Sequence, residues 1–315
     1  MPSSTVRTFS DPDDYAASIR ATDAEVTVTG RGHFTAKLIR IDLDRLWMQR
    51  AFDNLPRITH PTNIAGRATI SFRTKPGPSL LTDGLEMQPT NIVRHSDGQS
   101  YYRRSAGLAA YGSLSLPVAV MVSFGTAIAG VDLTPPKDPL IHTPPASAMA
   151  KLQRLHAAAG NLAENAPEII ANPDAARGLE QALIEAMVAY LAYGEGRENG
   201  LAQGRHAIIM RRFRRVIEEH PEEPLYISAI CKAIGVSQRT LHMCCEEHLG
   251  MGPKRYLVLR RMGLARRALR EAPPDAMSVT NIATRYGFWQ LGRFAVAYQI
   301  LFGEAPSETL RGQSE

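Results

Sequence analysis

The stretch ICKAIGVSQRTLHMCCEEHLGMGP, residues 230–253, is repeated in outline by IATRYGFWQLGRFAVAYQILFGEAP, residues 282–306. A shift of 52 residues lays Ile230, Cys231 and Gly235 on Ile282, Ala283 and Gly287. Past one extra residue the shift is 53, and Leu241, Cys245, Leu249, Gly250 and Pro253 fall on Phe294, Tyr298, Phe302, Gly303 and Pro306. The apolar triplets stand at i, i+4 and i+8, which is one face of a helix. Gly235 and Gly287 suit the left-handed turn between two helices. Each copy reads as a short helix, a glycine turn and a second helix, a helix-turn-helix whose second helix can offer its outer face to a major groove. Helical hairpins are common, so one copy would carry little weight; two in register carry much more.

A helix predicted from Pro253 to Glu271 joins the copies. Its 19 residues span about 28 Å at 1.5 Å per residue, which approaches the ~34 Å between successive major-groove faces of a duplex. Charge agrees in sign. From residue 205 onward there are 17 basic and 11 acidic residues, against 19 and 20 before it, so a net charge of +6 is concentrated in the last third of the 315-residue chain. Phosphate attraction needs a surplus of that sign, although a surplus this size also serves solubility.

Upstream, from Glu25 to about Leu133, apolar residues come in short runs such as Phe34, Ala36, Leu38 and Ala68 to Phe72, broken by Gly, Pro, Asn and Asp. The pattern predicts an all-β barrel or sandwich. Ser105 to Val131 has no charged residue, but glycines and Pro117 interrupt it, and Val118 to Phe124 reads as a buried strand rather than a membrane helix. The prolines of Thr134 to Pro145 mark a connection. Beyond it Leu152, Leu155, Ala159 and Leu162, then Leu179, Ala182, Leu183, Ala186, Met187, Tyr190 and Leu191, keep helical spacing and predict two amphipathic helices. These pack on the β domain, and their outer faces are candidates for a homodimer contact. GEGRENGLAQGR, residues 194–205, reads as a tether. The expected domains are therefore 1–200 and 205–315.

The quoted fragments GVSQRTL (235–241), EEHLGMGPKRYLVLRRMGLARRAL (246–269), VTNIATRYGF (279–288) and FGEAPSETLR (302–311) closely resemble the AraC/XylS transcription regulators. The resemblance covers about a hundred residues. It implies an α+β multi-domain protein: a C-terminal all-α domain with two helix-turn-helix units reading adjacent major grooves, behind an N-terminal cupin-like β-barrel with flanking amphipathic helices that binds a small-molecule effector and dimerises. It also implies promoter DNA and RNA polymerase as partners, and activation as the usual outcome. The alternative from another class is an enzyme with a catalytic N-terminal barrel and an autoregulatory DNA-binding appendage.

Ser237 can cap the first recognition helix, which leaves Gln238, Arg239 and His242 near its exposed start. Arg239 can donate two parallel bonds to guanine O6 and N7, and Gln238 suits adenine. In the second unit Gln290 and Arg293 take the corresponding places. Val296 stands where the family often has a basic residue, and Gly292 loosens the helix, so weaker or more shape-based readout is expected there. Arg260, Arg261, Arg266, Arg267 and Arg270 on the joining helix are candidates for phosphate contact or for plain solvation. Cys245 falls at a core position of the repeat, so with Cys244 it reads as apolar filling rather than a redox sensor.

No cofactor motif is read. His33, His60, His95 and His142 are scattered, with no His-x-His, so no metal is expected. Trp47, His60, Tyr101, Tyr102 and Arg104 have the polar-aromatic character of pocket residues. The N-terminus, with Asp11, Asp13 and Asp14, does not read as a secretory signal, and three cysteines without a pairing pattern suit a cytoplasmic protein.

Overall fold

The structure is a computed structural model that describes every residue except 21, 144, 194–198, 201–204, 221–224, 274–276 and 313–315. Most of the expected tether, residues 194–198 and 201–204, lies outside the described residues.

The chain opens with strand β1 (Ser3–Phe9), helix α1 (Pro12–Ser18) and strands β2 (Thr22–Val28), β3 (Ala36–Asp42), β4 (Trp47–Asp53), β5 (Arg57–Asn63) and β6 (Arg67–Arg73). Short strands β7 (Leu80–Thr82), β8 (Leu85–Glu86), β9 (Ile92–Arg94) and β10 (Arg103–Ser105) follow, then β11 (Ala109–Pro117), α2 (Val118–Ala129) and β12 (Leu140–His142). Helices α3 (Ala146–Asn165), α4 (Pro167–Ala171) and α5 (Pro173–Ala192) and strand β13 (Asn199–Gly200) complete this part. The rest is helical: α6 (Arg205–Glu219), α7 (Ile227–Ile234), α8 (Gln238–Leu249), α9 (Pro253–Glu271), α10 (Val279–Arg285), α11 (Leu291–Phe302) and α12 (Pro306–Arg311).

The strands form two antiparallel sheets, one in the order β1-β3-β4-β11-β6-β9-β12-β13 and one in the order β2-β5-β10-β7-β8. They remain two open sheets and do not close into the barrel that the resemblance implied. Alternation explains the layering. Met48, Ile70, Phe72 and Leu114 point to one side of the larger sheet and join Met149, Leu152, Leu183 and Met187 of α3 and α5 in a single core. Their neighbours Gln49, Thr69, Ser71 and Ser113 point to the other side, toward Thr59, Asn63 and Arg103 of the smaller sheet. The larger sheet therefore has an apolar face under α3 and α5, and its other face is polar around Gln49, Thr69, Ser71 and Ser113 where it turns to its partner sheet. The β7–β8 hairpin turns on Asp83 and Gly84, both at positive φ, as a two-residue type I′ loop requires.

Three expectations are corrected. Val118 to Phe124 is not a strand but the start of α2: Pro117 ends β11, Met121 and Gly125 face inward at i and i+4, and Gly130 closes the helix in the left-handed region. Apolar content alone does not separate a short buried helix from a strand. The proline-rich connection holds a three-residue strand, β12, which pairs with β9 through the proline-free residues Leu140–His142. The sheet begins well before Glu25, because β1 pairs with β3 from Ser3↔Asp42 to Phe9↔Ala36. Among the described residues no helix is long and apolar enough to cross a membrane.

The helical third packs directly on the sheets. Phe9, Tyr15, Val28 and Leu55 share a core with Met262, Leu269, Phe294 and Tyr298, while Ile58 and Tyr102 share another with Phe213, Leu241 and Tyr256.

Candidate nucleic-acid interface

Both expected helix-turn-helix units form. In the first, α7 ends at Gly235 (φ 72°), and the Ser237 side chain caps α8 by accepting from the Thr240 amide. In the second, Ser278 caps α10, and Gly287 (φ 79°) makes the turn into α11. The turns match bond for bond at one point: the Val236 amide donates to Cys231 O, and the Phe288 amide donates to Ala283 O. Ile230, Leu241, Cys245 and Leu249 are buried, as are their counterparts Ile282, Phe294 and Tyr298. Phe302 is half-buried, the one loose member of the repeat.

Orientation follows from the far ends of the recognition helices. Gly250 and Gly303 close α8 and α11 in the left-handed region. A Cβ on Gly250 would run into the Arg104 guanidinium, and one on Gly303 would sit 2.9 Å from the His33 ring. Gly250 thus lies against Arg104, and the exposed Gly303 lies beside the His33 ring, both residues of the sheet-rich part. Each recognition helix has 12 residues, about 18 Å, so their N-terminal ends stand away from that contact.

Those ends carry the residues picked from the sequence. Gln238, Arg239 and His242 are all exposed, with Met243 and Glu246 completing an outward face. Gln290 and Arg293 are likewise exposed at the start of α11. The first three line an open cleft of about 910 Å³ with Pro253, Lys254, Arg255 and Val258 of α9. His242 covers Gly252, where a Cβ would lie 2.8 Å from His242 Nε2. Lys254 and Arg255 are exposed and were missed in the sequence because nothing there shows which end of α9 faces outward. The outward side of α11 is more apolar: Val296 is 60% exposed and Ile300 43%, and Trp289, just before the helix, is 76% exposed. Among the described residues Arg239, Lys254, Arg255 and Arg293 are in no salt bridge.

The other α9 arginines are engaged elsewhere, which overturns their reading as candidate phosphate contacts. Arg260 donates from Nε and Nη2 to the two Glu25 oxygens at 2.8 Å each. Arg266 pairs with Asp11 and, at 3.1 Å, with Glu304. Arg267 pairs with Asp13, and Arg270 with Asp11 at 2.6 Å and Asp14 at 3.0 Å. Arg261 donates to Tyr286 O and lies over the Phe288 ring. The acidic N-terminal run is the docking partner of α9, and the Arg266 guanidinium helps to hold the Asp11 carboxyl below the usual carboxylate range against the opposing effect of burial.

Cys244 and Cys245 are both fully buried. Burial pushes the Cys244 thiol up to about 11 and the Cys245 thiol higher still, so neither is a ready thiolate.

The residues proposed for an effector pocket do not line one space, although His60 and Tyr102 meet. Trp47 is sandwiched by Arg20 and Arg67. His60 stacks on Tyr102, whose other neighbour is Tyr256 of α9, at the boundary with the helical third. Arg104 abuts Gly250, and Tyr101 alone lines the space between the sheets.

Residues 230–312 match a helix-turn-helix domain family. The chain is 42% identical over 95 residues to a probable thc operon regulatory protein of Rhodococcus erythropolis, covering 30% of this chain and 29% of that protein. It is 38% identical over 102 residues to a XylDLEGF operon transcriptional activator of Pseudomonas putida, covering 31% and 32%. It is 34% identical over 119 residues to the transcriptional activator RhaS of Escherichia fergusonii, covering 38% and 40%. The chain thus spans about a third of the length of these curated relatives. Among solved structures it is similar to the AraC-like transcriptional activator CuxR (15% identity, TM-score 0.43, 84% of this chain and 95% of that one). It is also similar to ToxT of Vibrio cholerae (11% identity, TM-score 0.32, 93% and 98%).

Proposed function

With its C-terminal third an AraC-type helix-turn-helix domain, we propose that the whole chain is a sequence-specific DNA-binding transcription regulator. In this reading residues 205–315 read promoter DNA through two units, and residues 1–200 bind a small-molecule effector. Gln238, Arg239 and His242 contact bases in one major groove, and Gln290 and Arg293 do so in the next. Lys254 and Arg255 hold the intervening phosphates.

The observation that supports this is the shared orientation of the two recognition helices. Both bring a C-terminal glycine beside a residue of the sheet-rich part and leave an outward-facing N-terminal start whose arginine, among the described residues, is in no salt bridge. Because α11 shows Val296 and Ile300 where α8 shows Met243 and Glu247, the second unit reads thymine methyl groups and groove shape more than hydrogen bonds.

Activation, contact with RNA polymerase and a cytoplasmic site of action belong to the same proposal, as does a homodimer through the outer faces of α3 and α5. The relatives quoted are named as regulators or activators, so the catalytic alternative draws no support from them.

The test is selection of bound sites from a random duplex library with the full chain. The expected result is a motif of two short elements about one helical turn apart. Weak uniform binding that salt abolishes and that Arg239→Ala does not alter would refute the reading.

A further inference from the structure

The space between the two sheets is a small cavity of about 40 Å³ walled by side chains that the fold, left to itself, has no reason to bury. Gln49, Thr69, Ser71, Tyr111 and Ser113 come from the larger sheet, Thr59, Asn63 and Arg103 from the smaller, with Arg20, His95 and Tyr101 closing it. Two guanidinium groups therefore line it and no carboxylate does.

Arg103 is 5% exposed. The Asp53 carboxylate, near enough to feel it, is already paired with the buried Arg57 at 2.6 Å. Arg103 instead donates through Nη2 to Ser71 Oγ at 2.9 Å and to the Tyr101 hydroxyl at 3.3 Å, and its Nε has no partner. Ser71 Oγ accepts that bond and lies 2.7 Å from His95 Nε2. Among the described residues His95 Nδ1 is also without a partner, and where Ser71 directs its own proton to Nε2 the neutral imidazole carries its hydrogen on that Nδ1. Burial and the nearby Arg103 charge hold His95 neutral. What stays unmet at this cluster, among the described residues, is one positive charge, the Arg103 Nε–H donor and, in that tautomer, the His95 Nδ1–H. A buried charge without a counter-charge is costly, and so is a buried donor without an acceptor.

We propose that the inter-sheet cavity is a binding site for the carboxylate of a small organic acid, anchored by Arg103 and His95 with Ser71 between them. A carboxylate supplies the missing negative charge and accepts from Arg103, since guanidinium and carboxylate match in geometry. A water-sized group needs ~10–15 Å³, so the cavity takes a carboxylate with a tail of one or two carbons. The inference rests on the regulator reading only for its consequence, a change in DNA affinity on binding.

Isothermal titration of the full chain with acetate and propionate, at constant ionic strength, tests the site without DNA. Saturable binding is expected, at least tenfold tighter than for acetamide, the neutral isostere. Arg103→Gln should weaken it at least tenfold and Ser71→Ala severalfold, with circular dichroism confirming that each variant is folded. The milder Ser71→Ala variant keeps the test alive where Arg103→Gln does not fold. No saturable carboxylate binding, equal binding of acetamide, or carboxylate affinity unchanged in the folded variants would overturn the site. A mobility shift of the acid-free protein on its selected duplex reports separately on the regulator reading, so either can fail alone.

Discussion

Removing the Glu25 carboxylate should loosen the contact between the sheet-rich part and the helical third. Arg260 is 7% exposed at its side chain and Glu25 is 25% exposed. In Glu25→Ala the guanidinium keeps a single hydrogen bond, to Ile217 O at 3.3 Å, and stays in a site too enclosed for water to replace the carboxylate fully. Stripping one partner from a buried pair costs ~3–5 kcal/mol, and the quarter exposure of Glu25 lowers this to about 2–3 kcal/mol. For a chain of this size that corresponds to a Tm lower by about 3–5 °C. Replacing both partners by apolar groups of similar bulk, Glu25→Met with Arg260→Met, should recover most of the loss, because no charge is left stranded. Differential scanning calorimetry of the single and double variants gives the answer. A Glu25→Ala transition within 1 °C of the parent, or a double variant no better than the single, would refute the reasoning.

Burial holds His156 down at about 3 from the ordinary 6.5. A depressed value means stability that is fully present above pH 6.5 and is lost as pH falls toward 3, so at pH 5 the protein should have given up ~2 kcal/mol through this residue alone. Urea unfolding at pH 8 and pH 5 measures the drop, and His156→Gln should flatten it. Gly112 lies under the same ring, with a Cβ placed 2.6 Å from His156 Cε1 and 3.1 Å from Phe72; Gly112→Ala should cost ~1–3 kcal/mol by overpacking, seen as an earlier calorimetric transition. On the DNA side, replacing thymine by deoxyuridine in the second element should weaken binding about fourfold per methyl buried against Val296 or Ile300, at ~0.8 kcal/mol each. The same replacement in the first element should matter less, and equal losses in a mobility shift would contradict the apolar readout.

The double unit was legible because its signals are local and duplicated. Gly235 and Gly287 need a left-handed backbone, Ser237 needs the amide three residues on, and the core triplets need one helical face; each requirement shows in the order of residues. The helix α9 appears with the bounds its composition implied, Pro253–Glu271. What stayed hidden depends on which surfaces meet. Nothing in the residue order links Asp11, Asp13 and Asp14 to Arg266, Arg267 and Arg270, about 255 residues downstream, so arginines that looked available for phosphate turned out to hold the chain's other end. The same blindness hid Lys254 and Arg255. Val118 to Phe124 was misread because β-branched and apolar residues suit a buried helix pressed on a sheet as well as a strand within it. The site residues Gln238, Arg239, His242, Gln290 and Arg293 stand where the repeat put them, but their roles on DNA rest on the proposal.

The most direct test of that proposal is a double-mutant cycle on DNA: the parent and Arg239→Ala, each titrated by mobility shift against the selected duplex and against duplexes altered in one element or the other. If α8 reads the first element, Arg239→Ala should weaken the intact site by ~1–3 kcal/mol, about 5- to 150-fold. It should then lose nothing more when the guanine it contacts is changed, while a change in the second element should add in full. Fully additive losses at both elements would contradict the claim that this helix reads bases.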